Sequence, residues 1–122
     1  MESIALEIDF HLEVAHYMEY FGKDHPNHRL HGHSYTGKVV FAGPINPETG
    51  ILIDFEETKV KLSELLTTYD HCILNEIEGI EKGSSEQLAK HIYHNASKHF
   101  PHVHSVWIER PTLGMRVQYP HV

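Results

Sequence analysis

The chain has 122 residues, enough for one domain with a single modest core. Lys and Arg number 10 against 17 Asp and Glu, a net charge of −7 at neutral pH. That balance argues against a nucleic-acid or membrane-surface binder, because phosphate partners select Lys/Arg patches. The one cysteine, Cys72, excludes an intramolecular disulfide and a cysteine-rich zinc module, and fits a reducing compartment. Thirteen histidines stand out, because His is the commonest metal ligand and they are not gathered in a terminal tag. Met1-Glu2-Ser3 opens no signal peptide, and no apolar run nears the roughly 18 residues a bilayer span needs. The expectation is a soluble cytoplasmic protein with one domain, residues 1–122.

From Ile4 to His16 apolar and polar residues alternate. Ile4, Leu6, Ile8, Phe10, Leu12 and Val14 share one face with His16; Glu7, Asp9, His11 and Glu13 take the other. Period two over this length predicts a strand with one wet side. Residues 17–30, with Gly22 and Pro26, read as a long loop. A second strand is expected from His31 to Ala42, with His31 and His33 on the face of Tyr35 and Phe41. A turn follows through Gly43-Pro44 and Gly50, then a short extended run, Ile51-Leu52-Ile53. Asp54 and Glu57 form a capping box for a helix whose apolar stripe is Phe55, Leu62, Leu65, Leu66 and Tyr69. Ser84 and Gln87 repeat that spacing for a second helix, burying Leu88, Ile92, Ala96 and Phe100 and stopped by Pro101. Strands over Val103–Arg110 and Met115–Tyr119 close the chain. The order ββααββ indicates an α+β layer fold.

His31-Gly32-His33 places two imidazoles on one side of a strand, about 6.5–7 Å apart at the backbone. If the first two strands pair antiparallel, His16 arrives beside them. Three neutral imidazoles with an open fourth position are the plan of a catalytic zinc site. Against this stands the reading of each His as a hydrogen-bonded core residue. A cupin also uses H-x-H, but it wants a Glu shortly after and a β-barrel without these helices. Asp70-His71 follows the first helix, where a carboxylate can orient an imidazole for proton transfer. The alternative is a solvated pair at a helix end. Cys72 beside His71 is a weak nucleophile pair. Glu109 on the last long strand is either a surface carboxylate or an acceptor for an N–C–N edge.

Taken in order, Val14-Ala15-His16, Arg29-Leu30-His31-Gly32-His33-Ser34, Ile53-Asp54-Phe55, Asp70-His71 with Leu74-Asn75, Ser85-Glu86 with Leu88-Ala89, and Glu109 resemble the 6-pyruvoyl-tetrahydropterin synthase family. Its short bacterial 6-carboxytetrahydropterin synthases of the 7-deazaguanine (queuosine) pathway match best. The resemblance spans nearly the whole chain. It implies a tunnelling fold: a four-stranded antiparallel sheet with two helices on one face, closed into a barrel by oligomerisation as a trimer or hexamer. It implies zinc on His16, His31 and His33, a pterin anchored by Glu109 with Ser84 and Ser85, and proton transfer by Asp70 and His71. The implied substrate is 7,8-dihydroneopterin triphosphate, bound between subunits and losing triphosphate.

The chain departs from the family pattern at one position. Asn27 stands where the family carries a catalytic Cys, four residues before His31. An amide cannot act as a thiolate-like base at neutral pH. Three readings stay open. His25, His28 or Cys72 substitutes; the reaction differs, forming for example a pyruvoyl or hydroxymethyl pterin; or the chain is a catalytically weak zinc- and pterin-binding module. A His-rich zinc-buffering protein is a further alternative.

Overall fold

A computed structural model describes residues 2–121; Met1 and Val122, the ends of the expected domain, lie outside the described residues. Four strands form one antiparallel sheet in the order β1 (Ile4–His16), β2 (His31–Gly43), β3 (Val103–Arg110) and β4 (Met115–Tyr119). Helices α1 (Phe55–Leu66) and α2 (Ser85–His99) lie between β2 and β3 in the chain and cover one face of the sheet.

The strand boundaries follow the alternation. Ile8, Leu12 and Val14 of β1, Tyr35, Val39 and Phe41 of β2, and Val106 and Ile108 of β3 are buried. They meet Leu62 and Leu66 of α1 and Leu88, Ala89, Ile92 and Ala96 of α2. Each such Leu or Ile removed from water contributes about 1.5–3 kcal/mol. Both helices open as their capping signals require. Asp54 accepts the Glu57 N–H at 3.0 Å, and Ser84 accepts the Gln87 N–H at 3.1 Å.

Two expectations are corrected. Ile51-Leu52-Ile53 is not a continuous extended run; the chain bends at Leu52 and Ile53 as it leads into α1. Phe55 does not belong to the buried stripe of α1. As the first helical residue it is 45% exposed, with Lys59 over its ring, while Thr58 one turn on is buried.

Strand register positions the histidines. β1 and β2 pair from Ile4↔Gly43 to His16↔His31, so the long loop closes on a pair of histidines. Gly37 sits where β2 passes β3; a Cβ there would lie 2.7 Å from the Trp107 carbonyl, so only glycine fits.

Candidate metal centre

His16 ends β1 and His31 begins β2 as its direct partner, with His33 two residues further on the same face. Their ring centroids lie 4.5 Å (His16–His31), 4.8 Å (His16–His33) and 4.7 Å (His31–His33) apart. One ligand nitrogen from each can be chosen so that all lie within 4.8 Å of one another.

The hydrogen bonds fix two of the tautomers. His16 Nδ1 lies 2.6 Å from the Gly83 carbonyl and His31 Nδ1 lies 2.5 Å from the Arg29 carbonyl. A carbonyl only accepts, so each Nδ1 carries the proton. In the neutral rings each Nε2 is then a bare lone pair, and the two face each other at 3.0 Å. Lone pairs so placed repel unless a proton or a cation lies between them. A tetrahedral ion with metal–nitrogen distances of about 2.0–2.1 Å separates its nitrogen ligands by about 3.3–3.4 Å. The donor set therefore fits a divalent metal.

Burial favours the neutral, ligating form of His16 and His33. His16 is 1% exposed, and its desolvation lowers its pKa against the opposing pull of the Gly83 bond. His33 is lowered to about 4, first by burial and then by the charge of Arg110. The Gly83 carbonyl reaches His16 from a turn with φ +72°. A side chain there would meet the Tyr17 carbonyl at 2.7 Å. Asn75 clamps the same turn: it accepts the Tyr17 N–H at 3.0 Å and donates to the Tyr17 and Glu81 carbonyls. Carbonyls carry no sequence signature, so the groups that orient the histidines were invisible in the sequence.

Asp70 and His71 lie past the end of α1 against the outer edge of β1. His71 donates its N–H to the Glu13 carbonyl at 2.6 Å, and Asp70 Oδ1 accepts the Glu13 N–H at 2.8 Å. Asp70 Oδ2 holds His71 Nδ1 at 2.8 Å. The Glu13 amide, helped by His71, holds the Asp70 carboxyl below its ordinary range against the opposing effect of desolvation. His71 has φ +60°, a left-handed conformation that costs a non-glycine residue energy and recurs at functional sites. His71, Cys72, Ser34 and His33 line one shallow cleft of about 410 Å³.

Glu109 occupies the other side of the sheet. Its carboxylate lies 3.4 Å from Arg116 in a cleft of about 460 Å³ with Trp107, Phe10, Asp9 and Lys38. The Ser84 hydroxyl caps α2, and the Ser85 hydroxyl is buried 2.9 Å from the Tyr35 hydroxyl. Asn27 lies in a 3₁₀ turn (Pro26–His28), donating its N–H to His25 Nδ1 at 3.1 Å; its carbonyl accepts the Met18 N–H. One chain thus unites the three histidines, pairs Asp70 with His71, and sets Glu109 apart. Arg110, the last residue of β3, is found against His33.

A four-stranded antiparallel sheet backed by two helices, with three histidines gathered where its first two strands meet, defines a tunnelling-fold protein with a metal-binding-type cluster. Residues 5–120 match the model of the 6-pyruvoyl tetrahydropterin synthase family, and the chain belongs to that family. It is 34% identical over 109 residues to a 6-carboxy-5,6,7,8-tetrahydropterin synthase of Synechocystis, covering 80% of this chain and 79% of that one. The namesake protein of Bacillus subtilis is 30% identical over 99 residues, 76% of this chain and 65% of that one. The fold matches the 6-pyruvoyl tetrahydropterin synthase of Caenorhabditis elegans with a TM-score of 0.84 at 24% identity, covering 100% and 98% of the two chains. Homology and the histidine cluster together make it a pterin-processing enzyme of this family.

Proposed function

We propose that the protein is a zinc-dependent lyase acting on 7,8-dihydroneopterin triphosphate with loss of triphosphate, of the 6-carboxy-5,6,7,8-tetrahydropterin synthase kind. The facing bare nitrogens of His16 and His31 carry the reading, in a chain whose relatives in Synechocystis and Bacillus subtilis bear that name. Zinc on His16, His31 and His33, when bound, supplies Lewis-acid stabilisation of negative charge developing on substrate oxygens.

The remaining steps belong to side chains. Asp70 holds the proton on His71 Nδ1 and so leaves Nε2 to accept or return a substrate proton. Glu109 accepts the paired N–H groups of the pterin's N–C–N edge, exchanging its contact with Arg116 for them. Ser84 and Ser85 contribute through the position of the turn that opens α2, because their hydroxyls serve Gln87 and Tyr35. Asn27 cannot take a proton at neutral pH.

The site is shared between copies of the chain in a trimer or hexamer. Two observations support this. β1 and β4 are edge strands, and beyond the short stretch where His71–Ile73 lie on Glu13–Ala15 the outer edge of β1 has no strand partner among the described residues. Glu109 and His71 also line separate clefts. The reading takes the enzyme as cytoplasmic, consistent with a free Cys72; no helix among the described residues is long and apolar enough to cross a membrane.

Asn27 favours one second reading, a zinc- and pterin-binding module with weak turnover. Mass spectrometry of the products formed by zinc-loaded protein from dihydroneopterin triphosphate separates the two. A 6-carboxy product with released triphosphate is expected. A pyruvoyl or hydroxymethyl product would change the reaction, and tight pterin binding without triphosphate release would establish the module.

A further inference from the structure

β3 ends at Arg110, and its side chain reaches His33 of the histidine cluster. One guanidinium nitrogen, Nη2, lies 2.6 Å from Nε2 and 3.1 Å from Nδ1 of His33. A neutral imidazole offers one lone pair, so Nη2 can donate to only one of these two nitrogens, and the contact engages a single one of the guanidinium's five N–H donors. Nε of Arg110 is buried and has no hydrogen-bond partner. A buried, unpaired donor of a charged group costs free energy that a native structure ordinarily recovers.

The neighbourhood explains what recovers it. A guanidinium is a permanent cation. A metal on the same imidazole would stand within a few ångströms of it, and two cations so close repel. The arrangement becomes favourable when an anion lies between them. A guanidinium offers two parallel N–H donors to such an anion, a geometry that matches an oxyanion. The carboxylates of Glu109 and Glu13 do not fill this role: Glu109 is paired with Arg116 and Glu13 accepts from Ser34.

We propose that Arg110 is an anion-binding residue of the metal centre, its guanidinium and the histidine-bound metal together gripping one substrate oxyanion. This rests on the metal site of the proposed function and deepens it. The chemistry required of the ligand is an oxygen anion, from either a phosphate group or an ionising side-chain hydroxyl. Arg110 thereby couples the two binding events: the metal is held weakly until the anion arrives, and the anion is held weakly without the metal.

Zinc affinity measured by chelator competition tests the coupling, with unaltered protein, Arg110→Gln and Arg110→Lys, each alone, with inorganic phosphate and with neopterin. Neopterin carries the side-chain hydroxyls without phosphate, so the two additions distinguish the source of the oxyanion. Without added anion, Arg110→Gln should bind zinc about tenfold tighter, because a neighbouring cation is gone. With phosphate or neopterin, the unaltered protein should gain zinc affinity several-fold and Arg110→Gln should not. Arg110→Lys keeps the charge and should stay near the unaltered protein in zinc affinity alone. Equal or weaker zinc binding by well-folded Arg110→Gln, or an equal gain with anion in both proteins, overturns the role of Arg110. Absence of a zinc equivalent in the unaltered protein even with phosphate or neopterin present overturns the metal site itself, and this inference with it.

Discussion

His16 and His31 face each other across the β1–β2 ladder with their Nε2 atoms 3.0 Å apart, each ring locked by a backbone carbonyl at its other nitrogen. The pair is poised for a cation rather than for a hydrogen bond between neutral rings. His31→Ala, which removes one of three ligands, should therefore lose more than about nine-tenths of the bound zinc under limiting metal. Metal analysis of the purified variant checks this, and full occupancy would refute the three-histidine assignment.

His16 has a second duty that His31 lacks. It is buried against the Gly83 carbonyl, and its loss strands that acceptor inside the protein. His16→Ala should cost about 1–3 kcal/mol of stability even in metal-free protein. His31→Ala should cost less there, because Arg29 and His31 are solvent-accessible. Urea unfolding of both variants in a chelator gives the comparison; equal costs would count against the buried bond.

Asp70 ties the segment after α1 to β1. Its carboxyl is held below its usual pKa by the Glu13 N–H and by His71, so the folded state binds the proton less well than the unfolded chain. Its contribution to stability is present above the unfolded value, near 3.9, and is lost as pH falls through the lower folded value. Asp70→Ala should lower the urea midpoint at pH 6, and the gap from the unaltered protein should close toward pH 2–3. A gap that stays constant with pH would show that charge plays no part.

Asn27 should limit the rate if the lost base is what slows the chemistry. Asn27→Cys should then raise turnover of dihydroneopterin triphosphate by about tenfold or more, within the range of general base catalysis. Unchanged turnover, with zinc and pterin still bound, would locate the base elsewhere.

Ser85 separates a structural from a ligand-binding role. Its hydroxyl meets the Tyr35 hydroxyl in the core, and burial raises the pKa of that phenol. Ser85→Ala should cost about 1–3 kcal/mol through an unsatisfied Tyr35, with pterin affinity unchanged in the folded protein. A tenfold loss of pterin affinity at unchanged stability would assign Ser85 to the ligand instead.

Strand and helix positions were legible because burial is periodic. Ile8, Leu12 and Val14 had to share a face whatever covered them, and Asp54 and Ser84 marked helix starts by local hydrogen bonding alone. Phe55 failed that logic because the first turn of a helix need not follow the stripe of the turns after it. Ile51–Ile53 failed because an apolar run of three is too short to choose its own conformation.

The sequence by itself determined which histidines could act together: strand parity put His16, His31 and His33 on one face, and antiparallel pairing brought them to one end. It also determined that the opposite face of β1 is polar. Only the tertiary structure decided which nitrogen of His16 and His31 is free, because the Gly83 and Arg29 carbonyls that decide it are backbone groups common to every residue. Only it placed Arg110 on His33, a contact between residues 77 positions apart. Periodicity is local and survives in the sequence. The electrostatic neighbourhood of a site is made by chain crossings that no local pattern records.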